Sequence, residues 1–240
     1  MLVVGFDTAT PAVSVALHDG ERVVSEAFAA DARRHGELLA PMIAQVMADA
    51  GASRADLTAV AVGVGPGPYT GLRVGVVTAR VLGAVLGIGV HGVCSLDLIA
   101  AVASRSVAPG REFLVATDAR RKEVYWARYD AAGGRLEGPL VGSAGSIAGA
   151  PGLAAAGSGG QLYPEAFGEI IGPAYPDART LSAIVAGQLG GQAGPPSPGS
   201  RPPASSPPPW PAVPLLAAEP LYLRRPDARE PGPPKRVTPS

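Results

Sequence analysis

Four groups of residues in this chain have the types and spacing that chemistry uses. Gly63-Val64-Gly65-Pro66-Gly67-Pro68-Tyr69-Thr70-Gly71 lies between an apolar run of strand length and a helical segment, where phosphate loops sit. It misses the dinucleotide fingerprint, because the third glycine falls on Pro68 or Thr70, and it misses the phosphate-loop pattern, because no Lys follows. Pro66 and Pro68 also remove two N–H donors that a phosphate nest would use. The plainer reading is a tight glycine-rich turn that feeds the helix. Asp7 and Asp118 each end a strand pattern. They could face one another across a cleft and hold magnesium under a nucleotide, or each could stabilise its own turn. His35 lacks a second His one turn later, where Leu39 stands. Cys94 is the one cysteine, so neither a disulfide within the chain nor a cysteine zinc site is expected. No zinc or iron is expected from this set.

The elements that must position these residues follow from periodicity. Leu2–Phe6 reads as a strand, then comes the turn sequence Asp7–Pro11, and Val13, Val15 and Leu17 alternate with Ser14, Ala16 and His18. Asp19-Gly20 signals a hairpin with Arg22–Ala29 as return strand. His35–Ala50 is helical, with apolar rows Leu38, Met42, Val46 and Leu39, Ile43, Met47, and Pro41 predicts a start or a bend nearby. Leu57–Val64 reads as a buried strand and Thr70–Leu86 as a helix apolar nearly all round. Ile88–Val93 is a strand, and Ser95 is the expected cap of a helix over Leu96–Val102. Phe113–Asp118 and Glu123–Tyr129 are two further strands, and Thr180–Leu189 a further helix.

Gly71, Gly75, Ala79, Gly83 and Gly87 stand four apart, so they line one side of the second helix. Interior glycine costs a helix about 1 kcal/mol relative to Ala, which asks for a compensating close approach by another element, from this chain or from another subunit.

Composition narrows the classes. The chain has 240 residues, 47% of them hydrophobic and 17% charged, and formal net charge zero. That predicts a soluble globular protein and argues against gripping nucleic acid through a global field. Arg73 and Arg80 interrupt the most apolar stretch, and Met1–Thr10 lacks a basic leader region, so a cytoplasmic protein without a membrane span is expected. Residues 195–214 hold ten prolines, predicting an extended linker with few buried contacts. The expected organisation is a lobe at 1–110, a reduced lobe at 111–194, the Pro-rich insertion at 195–214 and a terminal segment at 215–240.

Asp7, Val13, Val15 and Asp19 recur as Asp118, Val124, Trp126 and Asp130 at one constant offset. Two ordinary hairpins could coincide in this way, and so could two lobes descended from a duplication.

The particular words Asp7-Thr8-Ala9-Thr10, Gly65–Gly75, Asp118-Ala119-Arg120 with Glu123-Val124-Tyr125, and Pro220–Arg224 resemble the TsaB (YeaZ-type) family, closely over 1–130 and 219–225. The resemblance implies an α/β, two-lobed actin/Hsp70-like (RNase H-like) ATPase fold with a reduced second lobe. It implies a non-catalytic subunit of the machinery that makes N6-threonylcarbamoyladenosine at position 37 of tRNA. The catalytic paralogue TsaD would dock on Leu38, Leu39, Met42, Ile43, Val46, Gly71, Leu72, Gly75, Ala79 and Gly83, with the ATPase TsaE in the same complex and tRNA reached through it. Asp7, Thr8, Gly65, Gly67 and Asp118 are the candidates for ATP or ADP, and no cofactor of the chain's own is implied. Where TsaD-like proteins carry a His-x-Glu-x-His element, this chain reads His35-Gly36-Glu37-Leu38-Leu39, so the metal site is lost. A homodimer in isolation is left open. The rivals are an independent kinase or ATPase of the same fold and a metallopeptidase.

Overall fold

The computed structural model describes residues 1–31, 34–190, 210–211 and 213–224. Most of the Pro-rich stretch at 195–214 and the tail beyond 224 lie outside these residues.

The chain opens with the meander β1 (Val3–Asp7), β2 (Ala12–His18) and β3 (Val23–Ala30). Helix α1 (His35–Asp49), β4 (Ala59–Gly63), α2 (Tyr69–Leu86), β5 (Gly89–Val93) and α3 (Ser95–Ala103) follow. These strands form a sheet in the order β3-β2-β1-β4-β5, with β4 and β5 parallel to β1. A second meander, β6 (Phe113–Asp118), β7 (Val124–Tyr129) and β8 (Arg135–Gly142), is completed by β9 (Ala154–Ala156), α4 (Ser158–Leu162), β10 (Glu169–Ile170) and α5 (Ala178–Gly190). Its sheet runs β8-β7-β6-β9-β10, again with the last two strands parallel to the first. The two sheets therefore share one topology, which independent hairpins would not share, and duplication is the reading that accounts for it.

The constant offset holds for the two Asp residues and slips afterwards. Asp7 faces Ser14 across its turn, whereas Asp118 faces Val124, so the second turn is one residue shorter. Arg120, Arg121 and Lys122 close it with φ of 62°, 55° and 63°.

Alternation on β1 and β2 sends Val4, Phe6, Val13, Val15 and Leu17 to one face, where Leu39, Met42 and Val46 of α1 and Leu72, Val76 and Ala79 of α2 cover them. Val3, Ala59 and Ala61 point to the other face, onto Leu98 of α3 and Leu181, Ile184 and Val185 of α5. Leu96, Ile99, Ala100 and Ala103 of α3 fill the second sheet's inner face against Phe113, Val115 and Tyr129. The helices are thus exchanged: α3 follows the first sheet and covers the second, while α5 follows the second sheet and covers the first.

Three local expectations are corrected. Helix α1 starts six residues before Pro41 and runs through it, with Pro41 exposed. Ser95 does not cap α3 with its side chain; Cys94 holds the N-cap position, and the Ser95 hydroxyl is spent elsewhere. Trp210 and Val213, at the end of the Pro-rich stretch, pack on α5, and the Arg105 guanidinium lies 4.0 Å above the Trp210 ring centroid.

Candidate functional site

The sites predicted from sequence converge where β1, the glycine-rich turn and α2 meet the second meander. Asp7 is buried, and both carboxylate oxygens are engaged. Oδ1 accepts the Ala9 N–H at 2.8 Å and Oδ2 accepts the Ser95 hydroxyl at 2.5 Å. The Ser95 oxygen in turn accepts the Gly65 N–H at 3.1 Å, and the Ser95 N–H donates to the Gly65 carbonyl at 2.8 Å. A Cβ at Gly63 would overlap the Asp7 carboxylate, so only glycine fits there. Burial pushes the Asp7 carboxyl above its ordinary value, against the bonds from Ser95 and Ala9 that favour the charged form. Asp7 therefore ties the first strand to the glycine-rich turn and to α3.

Asp118 also serves its own turn. Its Oδ1 accepts the Arg120 N–H at 2.7 Å, and Oδ2 pairs with the Arg120 guanidinium at 3.4 Å. Each aspartate is thus bonded within its own turn, the second of the two readings that its position allows. His35 donates from Nε2 to the Thr10 carbonyl at 2.7 Å. Among the described residues no three His, Cys, Asp or Glu side chains gather in one place.

Two adjoining cavities lie here between the lobes. One, of about 380 Å³, is bounded by Gly67, Tyr69, Ala119, Arg120, Tyr222 and Arg224. The other, of about 290 Å³, lies against Thr8, His35, Tyr69, Gly71 and Arg120. Of the predicted nucleotide candidates, Thr8 and Gly67 reach these cavities, while Asp7, Gly65 and Asp118 do not.

The terminal segment closes one side. Leu216 pairs with Gly92 on the free edge of β5, and the Leu221 N–H donates to the Val64 carbonyl at 2.8 Å. Arg224 crosses to the second lobe, donating to the Ala119 carbonyl at 3.1 Å and pairing with Glu123. Tyr222 stacks on Tyr69 with centroids 5.2 Å apart. Arg224, Arg120, Tyr69 and Tyr222 were not singled out as site residues from sequence. The cue lay in the words Asp118-Ala119-Arg120 and Leu221–Arg224, distant in the chain but facing one another in the fold.

The predicted partner face divides in two. Gly71, Gly75 and Gly83 point into the lobe. A Cβ at Gly71 would come 2.7 Å from the Thr8 carbonyl oxygen, one at Gly75 would come 2.5 Å from the Thr8 hydroxyl, and one at Gly83 would strike Val90. Leu72 and Ala79 are fully buried beside them, as are Leu39 and Val46 of α1, with Met42 nearly so. The small-residue row thus lets α2 settle on its own sheet, and this corrects its placement between subunits. Gly87 lies outside the row's work; its φ of 66° ends the helix. The residues that α2 turns outward are Val77, Val81 and Val85, exposed by 51%, 54% and 77%. They too are spaced by four. The signal was a helix apolar all round whose inner side is Gly and Ala, leaving its bulk outside. Beside them a shallow apolar groove between α1 and α2 is lined by Ala40, Ile43, Met47, Thr78 and Leu82. Ile43 is half-buried in this groove, and Leu38 is half-buried against the core of the first lobe. By length and composition α2 is apolar enough to cross a membrane, but its Gly71–Gly83 side is built into the core.

Repeated sheets in the order 3-2-1-4-5, each opening with a strand that ends in Asp, and helices exchanged between them define a two-lobed actin/Hsp70-like fold with a reduced second lobe. Residues 23–161 match the family described as TsaD: tRNA N6-adenosine threonylcarbamoyltransferase. An uncharacterized protein of Mycobacterium tuberculosis is 42% identical, over 95% of this chain and 93% of its own length. One of Mycobacterium leprae is 41% identical over 95% of this chain, which spans only 56% of that relative. The tRNA threonylcarbamoyladenosine biosynthesis protein TsaB of Escherichia coli is 39% identical over 54% of this chain and 55% of its own length. The solved structure of YeaZ from Pseudomonas aeruginosa is 28% identical and superposes with a TM-score of 0.67, covering 79% of this chain and 92% of that one. The chain belongs to the TsaD family, on its TsaB/YeaZ-type branch.

Proposed function

We propose that this chain is a non-catalytic subunit of the complex that forms N6-threonylcarbamoyladenosine at position 37 of tRNA, docking to TsaD and supporting its active form, with TsaE in the same assembly. The observation that carries the docking reading is the outward row Val77, Val81 and Val85 beside the apolar groove of α1 and α2. Three β-branched side chains in line on one helix are a costly surface to leave in water, and a helix pair from a protein built on the same lobe fits against it. The non-catalytic reading is supported by the engagement of Asp7 with Ser95 and Ala9 and of His35 with the Thr10 carbonyl, which commits both groups to structure. No cofactor of its own is required in this reading; ATP or ADP would sit at the interface with TsaD. Alone, the same apolar face would pair two copies of the chain. The complex would work in the cytoplasm.

The test mixes the chain with TsaD from the same genome and measures mass, then threonylcarbamoyladenosine formation from threonylcarbamoyl-adenylate and tRNA. A heterodimer that Val81→Glu abolishes, with the monomer still folded and modification lost, is the expected result. Failure of the unaltered chain to bind TsaD, or ATP turnover by the chain alone, would favour an independent kinase or ATPase.

A further inference from the structure

We propose that the mouth of the interlobe cleft binds single-stranded RNA directly, with an unstacked base on the Tyr69–Tyr222 pair and backbone phosphates on the basic turn at Arg120–Lys122. The proposal rests on the tRNA reading above and goes beyond it, since that reading has this chain reach RNA only through its partner.

The first observation is the aromatic pair. Tyr69 opens α2, and Tyr222 belongs to the terminal segment. They stack with an interplanar angle of 26°, yet remain 45% and 43% exposed. Arg73 bonds the Tyr69 hydroxyl at 2.5 Å and holds its guanidinium 4.9 Å from the ring centroid. Tyrosines stacked at a cavity mouth, braced by an arginine, form a flat platform of the kind on which single-stranded bases stack.

The second observation is charge. The chain is neutral overall, but Arg120, Arg121 and Arg224 line this mouth, with Lys122 on the same turn and Arg73 against Tyr69; Arg120 pairs with Asp118 and Arg224 with Glu123. Three consecutive basic residues adopt positive φ on the turn that faces Tyr69 and Tyr222. Positive φ is uncommon outside glycine, and three in succession are retained where the surrounding structure or a ligand requires them. The turn's own bonds, from the Arg120 N–H to Asp118 and from the Glu123 N–H to the Arg120 carbonyl, hold this conformation, and it presents all three side chains outward.

The third observation separates RNA from a free nucleotide. A nucleotide clamped between lobes needs open donors on the turn of the second lobe. Here the Gly157 N–H donates to the Pro173 carbonyl, the Gly160 N–H donates to the Gly157 carbonyl, and Gly157 is pressed on the Ala116 backbone, which leaves the buried Ser158 hydroxyl as the unpartnered side-chain donor of this turn. With both Asp7 oxygens also engaged, the groups that face the cleft mouth among the described residues are mainly the stacking tyrosines and the arginines. That combination suits a base and backbone phosphates of a longer strand.

The experiment uses a labelled anticodon stem-loop RNA and the chain in complex with TsaD, read by fluorescence anisotropy across a salt series. Tyr222→Ala is expected to weaken binding about tenfold, and Tyr222→Phe to keep it. Arg120→Gln with Arg121→Gln should weaken it and flatten the log–log salt dependence by about 1.4, at roughly 0.7 per single-strand phosphate contact. Circular dichroism melts confirm that each variant is folded. Photocrosslinking of a thiouridine-substituted loop to the segment holding Tyr222 gives a readout that needs no variant. Folded variants that keep wild-type affinity and salt slope overturn the proposal, as does displacement of the RNA by ATP or ADP from the same residues. If the unaltered chain binds TsaD and supports modification while the variants bind RNA unchanged, only this inference fails. If the unaltered chain does not bind TsaD, the underlying reading fails with it.

Discussion

The hydroxyl of Thr8 stands inside the hydrogen-bond ladder of α2, between Gly71 and Gly75. It donates to the Gly71 carbonyl at 2.8 Å and accepts the Gly75 N–H at 3.0 Å. Those are the two groups that an undisturbed helix joins directly. The turn after β1 is thereby fastened to the first turns of α2, and the glycines are there because a Cβ would collide with Thr8.

Gly75→Ala should therefore destabilise the folded chain, although Ala is the better helix former. Overpacking against fully buried Thr8 is expected to cost about 2 kcal/mol net, or roughly 5 °C in melting temperature for a domain of this size. Gly75→Leu should prevent folding. Thr8→Ala combined with Gly75→Ala should recover part of the loss, since removing the hydroxyl makes room for the methyl. Additive losses in that cycle would show that the two residues do not share the space.

Deleting 195–214 should lower the melting temperature, contrary to what its proline content predicts. Trp210 and Val213 pack on α5, and burying two such side chains is worth about 2 to 4 kcal/mol. Deletion of 195–209 alone leaves both in place. Equal melting temperatures for the two deletions would show that Trp210 and Val213 contribute nothing.

His18 should make the protein less stable on the acid side. Its Nδ1 accepts the Gly20 N–H at 3.0 Å, which needs the neutral ring, and burial holds its pKa below the ordinary imidazole value. The unfolded chain then takes up the proton first. Stability is full above about pH 6.5 and falls as pH drops below it toward the folded value. His18→Asn keeps an acceptor and removes the titration, so urea midpoints should depend less on pH in this range. An unchanged pH dependence would sink the assignment.

Cys94 should be inert in the native protein. Burial raises its thiol pKa to about 12, with Asp97 adding to the shift and Arg135 opposing it. At about pH 8 almost no thiolate is present, and a disulfide reagent should react only after denaturant is added. Rapid native labelling would mean that the Cys94 environment opens.

Much of the fold was legible because its elements carry strong periodicity. β1 and β4 follow from apolar runs, β2 from alternation, α1 from its apolar rows and α2 from its long apolar stretch, and the repeated strand–Asp–turn pointed to the second lobe. What one helix meets was not legible. Glycines at Gly71 and Gly75 show that something comes close, but the sequence does not say whether that neighbour is Thr8, 63 residues away, or another protein. The cleft was hidden for a similar reason. Tyr69, Arg120 and Tyr222 are ordinary residues in three separate segments, and only the terminal segment's path along Gly92 and Val64 brings them together.

The exchange of α3 and α5 has a consequence for how the protein comes apart. Each sheet's inner face is finished by a helix from the other part of the chain, so neither part can hide its apolar surface by itself. A polypeptide cut near Pro109 would yield two fragments that each need the other to fold. Unfolding should then be a single event in which secondary structure and the packing around Trp210 are lost together. Newly synthesised chain would wait for α5, about 170 residues after β1, before both faces of its first strand are covered.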